Sequence, residues 1–209
     1  MLKKQKVSHT IIRRYFFLRG NILKTAIRII GIITCIIFGI ISIFYLSVLY
    51  LKKCVYPIKY KEIVFEYSQN YDLDKALIFA IIKTESGFNE KAISKVGAIG
   101  LMQITETTGK YIAQKLNEKT FDLKNAKTNI RFGCFYIRYL FDRFEDNKTA
   151  LIAYNAGEGN VKAWLSDKNY SLDGKTLKVI PFGESREYIN KIYRNFEKYK
   201  KLYKNFLDK

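Results

Sequence analysis

Residues Asp74–Gly109 read DKALIFAIIKTESGFNEKAISKVGAIGLMQITETTG, and this stretch decides the fold. It begins as a predicted helix over Lys75–Ser86, which Asp74 can cap. Every residue from Ala76 to Ile82 is apolar, so the helix has no polar face there. A helix that is apolar nearly all round lies in the core of a domain. The sequence therefore predicts a buried central helix.

Glu85 is the carboxylate at the end of this apolar run, and the Ser86-Gly87 pair that follows should stop the helix. A helix C-terminus and apolar surroundings both disfavour a negative charge, so we expect a raised pKa. A carboxyl group that stays protonated near neutral pH is what a general acid requires. From this helix alone, the alternative is an ordinary solvated acid at a frayed helix end.

The loop that follows carries the most specific motif. Residues Ser94–Gln103 read SKVGAIGLMQ, with closely spaced glycines that let the backbone pass near a ligand. Together with Glu85, this loop resembles the signature ES…SxxGAxGLMQ of the lytic transglycosylases, the lysozyme-like enzymes that cut bacterial peptidoglycan. The resemblance implies that Ser94, Met102 and Gln103 hold the sugars and the N-acetyl group.

A second motif resembles the same family. The stretch AYNAG contains Tyr154 and Asn155 and ends a predicted short helix, Thr149–Tyr154. A Tyr-Asn pair before glycine can also be no more than a helix C-cap. The resemblance implies that both residues face the substrate cleft, with the Tyr154 hydroxyl group orienting Glu85 or an N-acetyl group.

A third motif opens the last predicted helix, which runs to about Phe206. Residues Pro181–Tyr188 read PFGESREY and resemble the family element PFxETxxY, with Ser185 in place of the usual threonine. The resemblance implies that Glu184 lines the cleft and binds sugar or peptide. Its alternative role is that of a first-turn acid that complements the helix dipole.

Helical periodicity continues outside the motifs, and strand signals are weak everywhere. Further helices are predicted at Lys59–Tyr71, Glu106–Leu116 and Thr128–Phe144, with Thr105 as a cap. We assign helix packing to Asn129, Gly133 and Tyr136, and a core position to Trp164. The predicted fold class is mostly α. By the resemblance, it is a lysozyme-like domain of the goose-type and transglycosylase kind, preceded by one transmembrane helix.

The transmembrane helix is predicted from Ile29–Leu51, which holds 23 residues without a charge. At about 1.5 Å per residue it spans roughly 34 Å, enough to cross a hydrocarbon core of about 30 Å. A cleaved signal peptide fits poorly, because the run exceeds the usual ~7–15 apolar residues and no A-x-A-like site follows. Basic residues without acids precede the run, which predicts a cytoplasmic N-terminus, although lysines on the far side weaken this.

The predicted organisation has four parts. They are a basic cytoplasmic segment, 1–28, the transmembrane helix, 29–51, a linker, 52–58, and the catalytic domain, 59–209. The predicted localisation is the cell membrane, crossed once, with the catalytic domain outside it.

The charge and composition of the chain limit the classes of partner and cofactor that we expect. The net charge is +18, and residues 1–54 hold ten of the 37 basic residues and no acid, which leaves 37 − 10 = 27 basic against 19 acidic residues beyond them. No nucleic-acid motif accompanies this charge, so we expect no nucleic-acid partner. A wall polymer that bears peptide carboxylates fits better. His9 is the only histidine and there is no CxxC spacing, so neither a metal nor a cofactor is expected.

The expected mechanism depends on the number of carboxylates. Most glycosidases use two carboxyl groups. In the goose-type lysozymes, which share the fold and hydrolyse their substrate, an aspartate stands at the position that Thr105 occupies in this chain. The resemblance therefore implies a single-acid route, in which Glu85 cleaves peptidoglycan glycan strands without water and leaves 1,6-anhydro ends. The alternatives are a hydrolytic muramidase that uses Glu184 or Glu90 as base, and a non-catalytic wall-binding scaffold. A further option is an enzyme that serves a secretion, conjugation or sporulation machine, and protein partners stay unknown.

Overall fold

The computed structural model describes residues 2–207, with side chains from Leu18 onward except those of residues 20 and 22. The chain divides into two compact units after Val55. The first unit is a single long helix, α1 (Leu2–Tyr50), which continues as a short π-helical segment, Leu51–Val55. Within the described residues, one helical stretch, Leu23–Val55, is long and apolar enough to cross a membrane. It contains the predicted span and begins earlier.

The second unit is built from seven helices within the described residues. They are α2 (Lys61–Asn70), α3 (Lys75–Glu85), α4 (Glu106–Lys115), α5 (Ala126–Arg143), α6 (Asn147–Ala156), α7 (Glu158–Ser166) and α8 (Gly183–Leu207). In place of strands, two isolated bridges join Ile99 to Ile93 and to Ile104 in the described part of the chain. The prediction of a mostly helical fold is confirmed.

Helix α3 lies at the centre of this unit, as its sequence predicts. Ile78 to Ile82 are all fully buried. The side chain of Asp74 caps the helix by accepting a 2.7 Å hydrogen bond from the backbone N–H of Ala76. Because α3 is fully buried over Ile78 to Ile82, its half-buried C-terminal residue Glu85 lies directly after a core segment.

Helix α8 packs along the length of α3. Tyr188 near the start of α8 contacts Glu85 at the end of α3, and Leu207 at the end of α8 contacts Lys75 at the start of α3. The rings of Phe79 and Tyr199 stack with centroids 5.6 Å apart. Nearer the C-terminus of α3, Asn195 donates to the Thr84 hydroxyl group at 3.0 Å. This packing brings the beginning of α8, where Glu184 lies, to the end of α3 that carries Glu85.

The loop between α3 and α4 is fixed by one buried side chain from α5, Asn129. Its Oδ1 accepts from the backbone N–H of Met102 at 2.7 Å, and its Nδ2 donates to the carbonyl oxygens of Ile99 at 2.9 Å and Leu123 at 2.8 Å. The predicted packing role of Asn129 is therefore a set of hydrogen bonds that shapes the loop.

The observed helix ends differ slightly from the predicted ones. Helix α6 begins two residues earlier than predicted and ends two residues later, since Asp146 caps it by accepting from Thr149 N–H at 2.8 Å. Helix α4 begins at the predicted residue, with Thr105 as its cap. Trp164 is buried and packs edge-on against Phe182 at 4.8 Å, which confirms its core position.

Candidate active site

A pocket of about 220 Å³ opens at the C-terminal end of α3. The loop after α3, the start of α4, and residues of α5, α6 and α8 form its wall. Its lining residues are Glu85, Ser94, Val96, Ala98, Gln103, Ile104, Thr105, Thr108, Tyr136, Tyr154, Asn155 and Glu184. All three sequence motifs therefore meet at this one pocket.

Glu85 is the half-buried acid of the pocket. Burial raises the pKa of its carboxyl group to about 7, and a hydrogen bond from Tyr188 opposes part of this shift. The Tyr188 hydroxyl group donates to Oε1 of Glu85 at 2.6 Å. Burial also raises the pKa of Tyr188 well above its usual range, so this tyrosine remains a donor. A carboxyl group with this pKa is partly protonated at neutral pH, which a general acid requires.

Ser94 and Gln103 both line the pocket, and both also hold the loop. The Ser94 hydroxyl oxygen accepts from the backbone N–H of Ala98 at 3.0 Å. The Gln103 amide nitrogen donates to the carbonyl oxygens of Ala92 at 3.3 Å and Gly100 at 2.9 Å. Since both N–H bonds of the Gln103 amide are used in the loop, its carbonyl oxygen is the group that it can offer to a ligand.

Met102 is the one predicted substrate-binding residue that does not line the pocket. Its side chain is fully buried, and a Cβ atom at Gly133 of α5 would come within 2.3 Å of its sulfur atom. The motif resemblance assigned Met102 to the sugars, but its thioether fills a gap in the core instead. Its backbone contributes to the site indirectly, because its carbonyl oxygen accepts a 2.8 Å hydrogen bond from Tyr154.

Tyr154 and Asn155 lie in the pocket wall at the end of α6. The Tyr154 hydroxyl group donates to the backbone of Met102 and not to Glu85, which receives its tyrosine hydrogen bond from Tyr188. Asn155 is held by Ser185, whose hydroxyl group donates to Asn155 Oδ1 at 2.8 Å. The serine that replaces the usual threonine thus keeps the hydroxyl group that positions the asparagine.

The two acids considered as a second carboxylate have different positions. Glu184 is exposed and lines the same pocket as Glu85. Glu90 lines a separate cavity with Lys91 and Lys124, and it accepts a 2.9 Å hydrogen bond from Tyr60. Of the two, only Glu184 is therefore placed to act beside Glu85. The described residues hold no group of three or more His, Cys, Asp or Glu side chains that could bind a metal ion.

Sequence reasoning gave no site role to Tyr188, Tyr136 or Thr108. Tyr188 is the last residue of the PFGESREY motif, so the motif contained the signal, but the contact with Glu85 could not be read from it. Tyr136 was assigned to packing, and its ring does pack on that of Tyr154 at 5.8 Å while it also lines the pocket.

Comparisons with known proteins identify the family of this domain. The Transglycosylase SLT domain family matches residues 62–178, more than half of the chain. The chain therefore belongs to the Transglycosylase SLT domain family.

Two curated relatives illustrate the match. The soluble lytic murein transglycosylase of Salmonella typhimurium is 32% identical over 158 residues, which cover 73% of this chain and 24% of that protein. The membrane-bound lytic murein transglycosylase C of Yersinia pestis is 31% identical over 169 residues, which cover 68% of this chain and 47% of that protein. The chain thus spans about a quarter of the first relative and about half of the second.

Solved structures show the same fold. The lytic transglycosylase Slt of Pseudomonas aeruginosa, solved as an inactive mutant, matches with a TM-score of 0.60 and 30% identity over 70% of this chain and 24% of that one. A complex of the 70-kDa soluble lytic transglycosylase with bulgecin A matches with a TM-score of 0.61 and 27% identity over 70% of this chain and 25% of that one.

Proposed function

We propose that this protein is a membrane-anchored peptidoglycan lytic transglycosylase. It cleaves the β-1,4 bond between N-acetylmuramic acid and N-acetylglucosamine without water and leaves 1,6-anhydro ends. The observation that carries the proposal is the half-buried Glu85 at the pocket to which all three motifs contribute, where loss of water raises its pKa to about 7. The names of the relatives, all lytic murein transglycosylases, support the same substrate.

In the proposed reaction, Glu85 first acts as an acid. It donates its proton to the bridging oxygen, and the bond between that oxygen and the anomeric carbon breaks. The carbonyl oxygen of the substrate's own N-acetyl group stabilises the anomeric carbon, as in substrate-assisted glycosidases. Glu85, now a carboxylate, takes the proton of the muramic 6-hydroxyl group, whose oxygen bonds to the anomeric carbon and closes the anhydro ring.

The remaining pocket residues bind and orient the strand in this proposal. Ser94, Gln103, Asn155 and Glu184 contact the sugars directly, since their side chains line the pocket. Tyr154 contributes its ring surface, because its hydroxyl group is engaged by Met102. We leave Met102 out of the contacting set because its side chain is buried.

A hydrolytic muramidase is the second candidate, and one observation favours it. Glu184 lines the same pocket as Glu85, so a second carboxylate is available to activate a water molecule. The two reactions differ in mass, because hydrolysis adds a water molecule and the anhydro route does not.

The localisation is part of the proposal. Residues 29–51, which lie within the apolar helical stretch Leu23–Val55, anchor the protein in the cell membrane, and the basic residues before the span keep the N-terminus in the cytoplasm. Residues 1–28 then form the cytoplasmic segment, 29–51 the span, 52–58 the linker, and 59–209 the catalytic domain outside the membrane. The membrane-bound relative named above is compatible with such an anchor.

The test is digestion of purified peptidoglycan by the full-length protein in detergent, beside its Glu85→Gln variant. Mass spectrometry of the released muropeptides should show products one water lighter than reducing muropeptides from the wild type, and none from the variant, whose folding is checked by circular dichroism. Reducing ends would establish the hydrolase instead. If neither protein releases muropeptides but both bind the wall, a non-catalytic scaffold replaces the enzyme.

Binding of bulgecin A would test the pocket without requiring cleavage of peptidoglycan. It is bound in a solved complex of a 70-kDa soluble lytic transglycosylase that shares this fold. Thermal unfolding with and without bulgecin A should show a higher midpoint when the compound is bound, because a ligand of the native state stabilises it.

A further inference from the structure

The pocket contains a pair of hydroxyl groups at the start of α4. Thr105 and Thr108 both line it, and their Oγ1 atoms lie 2.9 Å apart in a hydrogen bond. Nothing in the three motifs covers these residues, and the proposed reaction does not use them.

The pair is held rigidly by the helix that it begins. Thr105 is the N-cap of α4, and its Oγ1 accepts the backbone N–H of Thr108 at 3.2 Å. The two residues are therefore joined by two hydrogen bonds, one from the Thr108 backbone to the Thr105 side chain and one between the hydroxyl groups. Such a fixed pair can bind a ligand without first losing rotamer freedom.

The pair has one hydroxyl hydrogen that it can donate to a ligand. Two hydroxyl groups carry two hydrogens, and one of these is used in the bond between Thr105 and Thr108. Thr105 donates in this bond, so the hydrogen of the Thr108 hydroxyl group is the one that has no acceptor among the described residues. It is thus available to an acceptor inside the pocket.

Two other residues of the pocket wall already use their hydrogen-bond donors within the protein. Both N–H bonds of the Gln103 amide are directed to loop carbonyl oxygens, and the Tyr154 hydroxyl group donates to Met102. Gln103 and Tyr154 therefore have no hydrogen left to donate to the oxygens of a bound sugar. Ser94 and Asn155 only accept in their bonds within the protein and can still donate, and the Thr105–Thr108 pair adds one more donor to the wall.

We propose that Thr105 and Thr108 form an additional sugar-binding site, in which the pair donates one hydrogen bond to an uncharged oxygen of the glycan strand. The acceptor is a hydroxyl or amide oxygen of an N-acetylated hexosamine beside Glu85. This inference rests on the proposed function for the identity of the ligand. The pair positions the strand and takes no part in proton transfer.

The test separates binding from cleavage by using the inactive Glu85→Gln background. Full-length protein in nanodiscs is titrated with peptide-free glycan strands, and the dissociation constant is compared with that of the added variants Thr108→Val, Thr108→Ser and Thr107→Val. Valine keeps the shape of Thr108 and removes its hydroxyl group, whereas serine keeps the hydroxyl group. Thr107 is the matched control, because it lies in the same helical turn but is exposed.

We expect Thr108→Val to weaken binding by about three- to tenfold, the usual effect of one neutral hydrogen bond. Thr108→Ser and Thr107→Val should keep the affinity of the background. In the active enzyme, Thr108→Val should raise KM in the same proportion and leave kcat unchanged, as expected for an interaction made equally in the ground and transition states.

Two results would overturn the inference. One is equal affinity of Thr108→Val and Thr107→Val. The other is a loss of affinity that Thr108→Ser does not restore and that accompanies a lower melting temperature, which would indicate a structural role. Failure of the proposed function is distinguishable, because absence of cleavage by the wild type leaves the binding comparison intact.

Discussion

At the scale of single residues, Glu85 combines two environments that the chain brings together from distant positions. The core of α3 deprives its carboxyl group of water, which raises the pKa, and Tyr188 supplies a hydrogen bond to the charged form, which lowers it. Tyr188 lies 103 residues further along the chain. The balance between these two effects sets the pH range in which Glu85 can donate a proton.

This balance predicts the behaviour of Tyr188→Phe. Loss of the hydrogen bond removes the effect that favours the carboxylate, so the pKa of Glu85 should rise above about 7. Because the protonated form starts the reaction, activity falls as the pH rises through this pKa, and the falling limb of the kcat–pH profile should move to higher pH. The control is Tyr199→Phe, on the same helix but bonded to the carbonyl oxygen of Pro57. An unshifted limb in Tyr188→Phe would contradict the assignment.

A second residue-scale prediction concerns Thr105, which stands where goose-type lysozymes have an aspartate. In Thr105→Asp the new side chain can still cap α4, because aspartate is as good an N-cap as threonine or better. It adds a carboxylate to the pocket that holds Glu85, which should raise the pKa of Glu85 and allow a water molecule to be activated.

We therefore expect Thr105→Asp to release some muropeptides with reducing ends, detected as products one water heavier than the anhydro form. Thr105→Asn is the matched control, since it has a similar shape and caps the helix without the charge. If both variants give the same products as the wild type, the missing carboxylate does not decide the outcome.

At the scale of elements, the loop between α3 and α4 is defined by its contacts with α5. Gly97 and Gly100 both have positive φ angles, +78° and +81°. A Cβ atom at Gly97 would meet nothing within 4 Å, whereas one at Gly100 would lie 2.4 Å from Nδ2 of Asn129. The sequence suggested that the glycines let backbone approach a ligand, but at Gly100 the close neighbour is the buried asparagine.

This difference predicts unequal costs for two similar substitutions. Gly97→Ala should lower the free energy of unfolding by about 1–2 kcal/mol, the cost of a left-handed conformation for a residue with a Cβ atom. Gly100→Ala should cost about 1–3 kcal/mol more, because overpacking is added. Urea titrations of both variants, followed by circular dichroism, give the comparison. Equal midpoints would mean that Asn129 moves aside without loss.

At the scale of the whole molecule, the three cysteines report on topology. Cys54 is exposed and follows the predicted span, Cys35 lies within that span, and Cys134 is buried in the second unit. Burial raises the pKa of the Cys134 thiol group well above its usual range, so it should react slowly.

A membrane-impermeant maleimide added to intact spheroplasts should therefore label the wild type at Cys54 and leave the Cys54→Ser variant unlabelled. This result is expected if the N-terminus is cytoplasmic and the catalytic domain lies outside the membrane. Labelling of Cys54 only after the membrane is permeabilised would reverse the proposed orientation.

The sequence by itself determined the helical class, the central helix and the residues that come together. The apolar run of α3 predicted that this helix is buried, and Asp74 and Thr105 predicted where α3 and α4 begin. These predictions succeed because helix caps and hydrophobic periodicity are local properties of the chain. The resemblance of the motifs to the family predicted that six residues share one site, and all of them line one pocket: Glu85, Ser94, Gln103, Tyr154, Asn155 and Glu184.

The tertiary structure decided how these residues are used. Met102 points into the core because Gly133 leaves space for its side chain, and Tyr188, not Tyr154, bonds to Glu85 because α8 packs along α3. These arrangements depend on contacts between distant segments, and a motif records residue types without recording which neighbour each side chain meets. The physical reason is that hydrogen bonding and close packing are satisfied by the whole fold and not by any one segment.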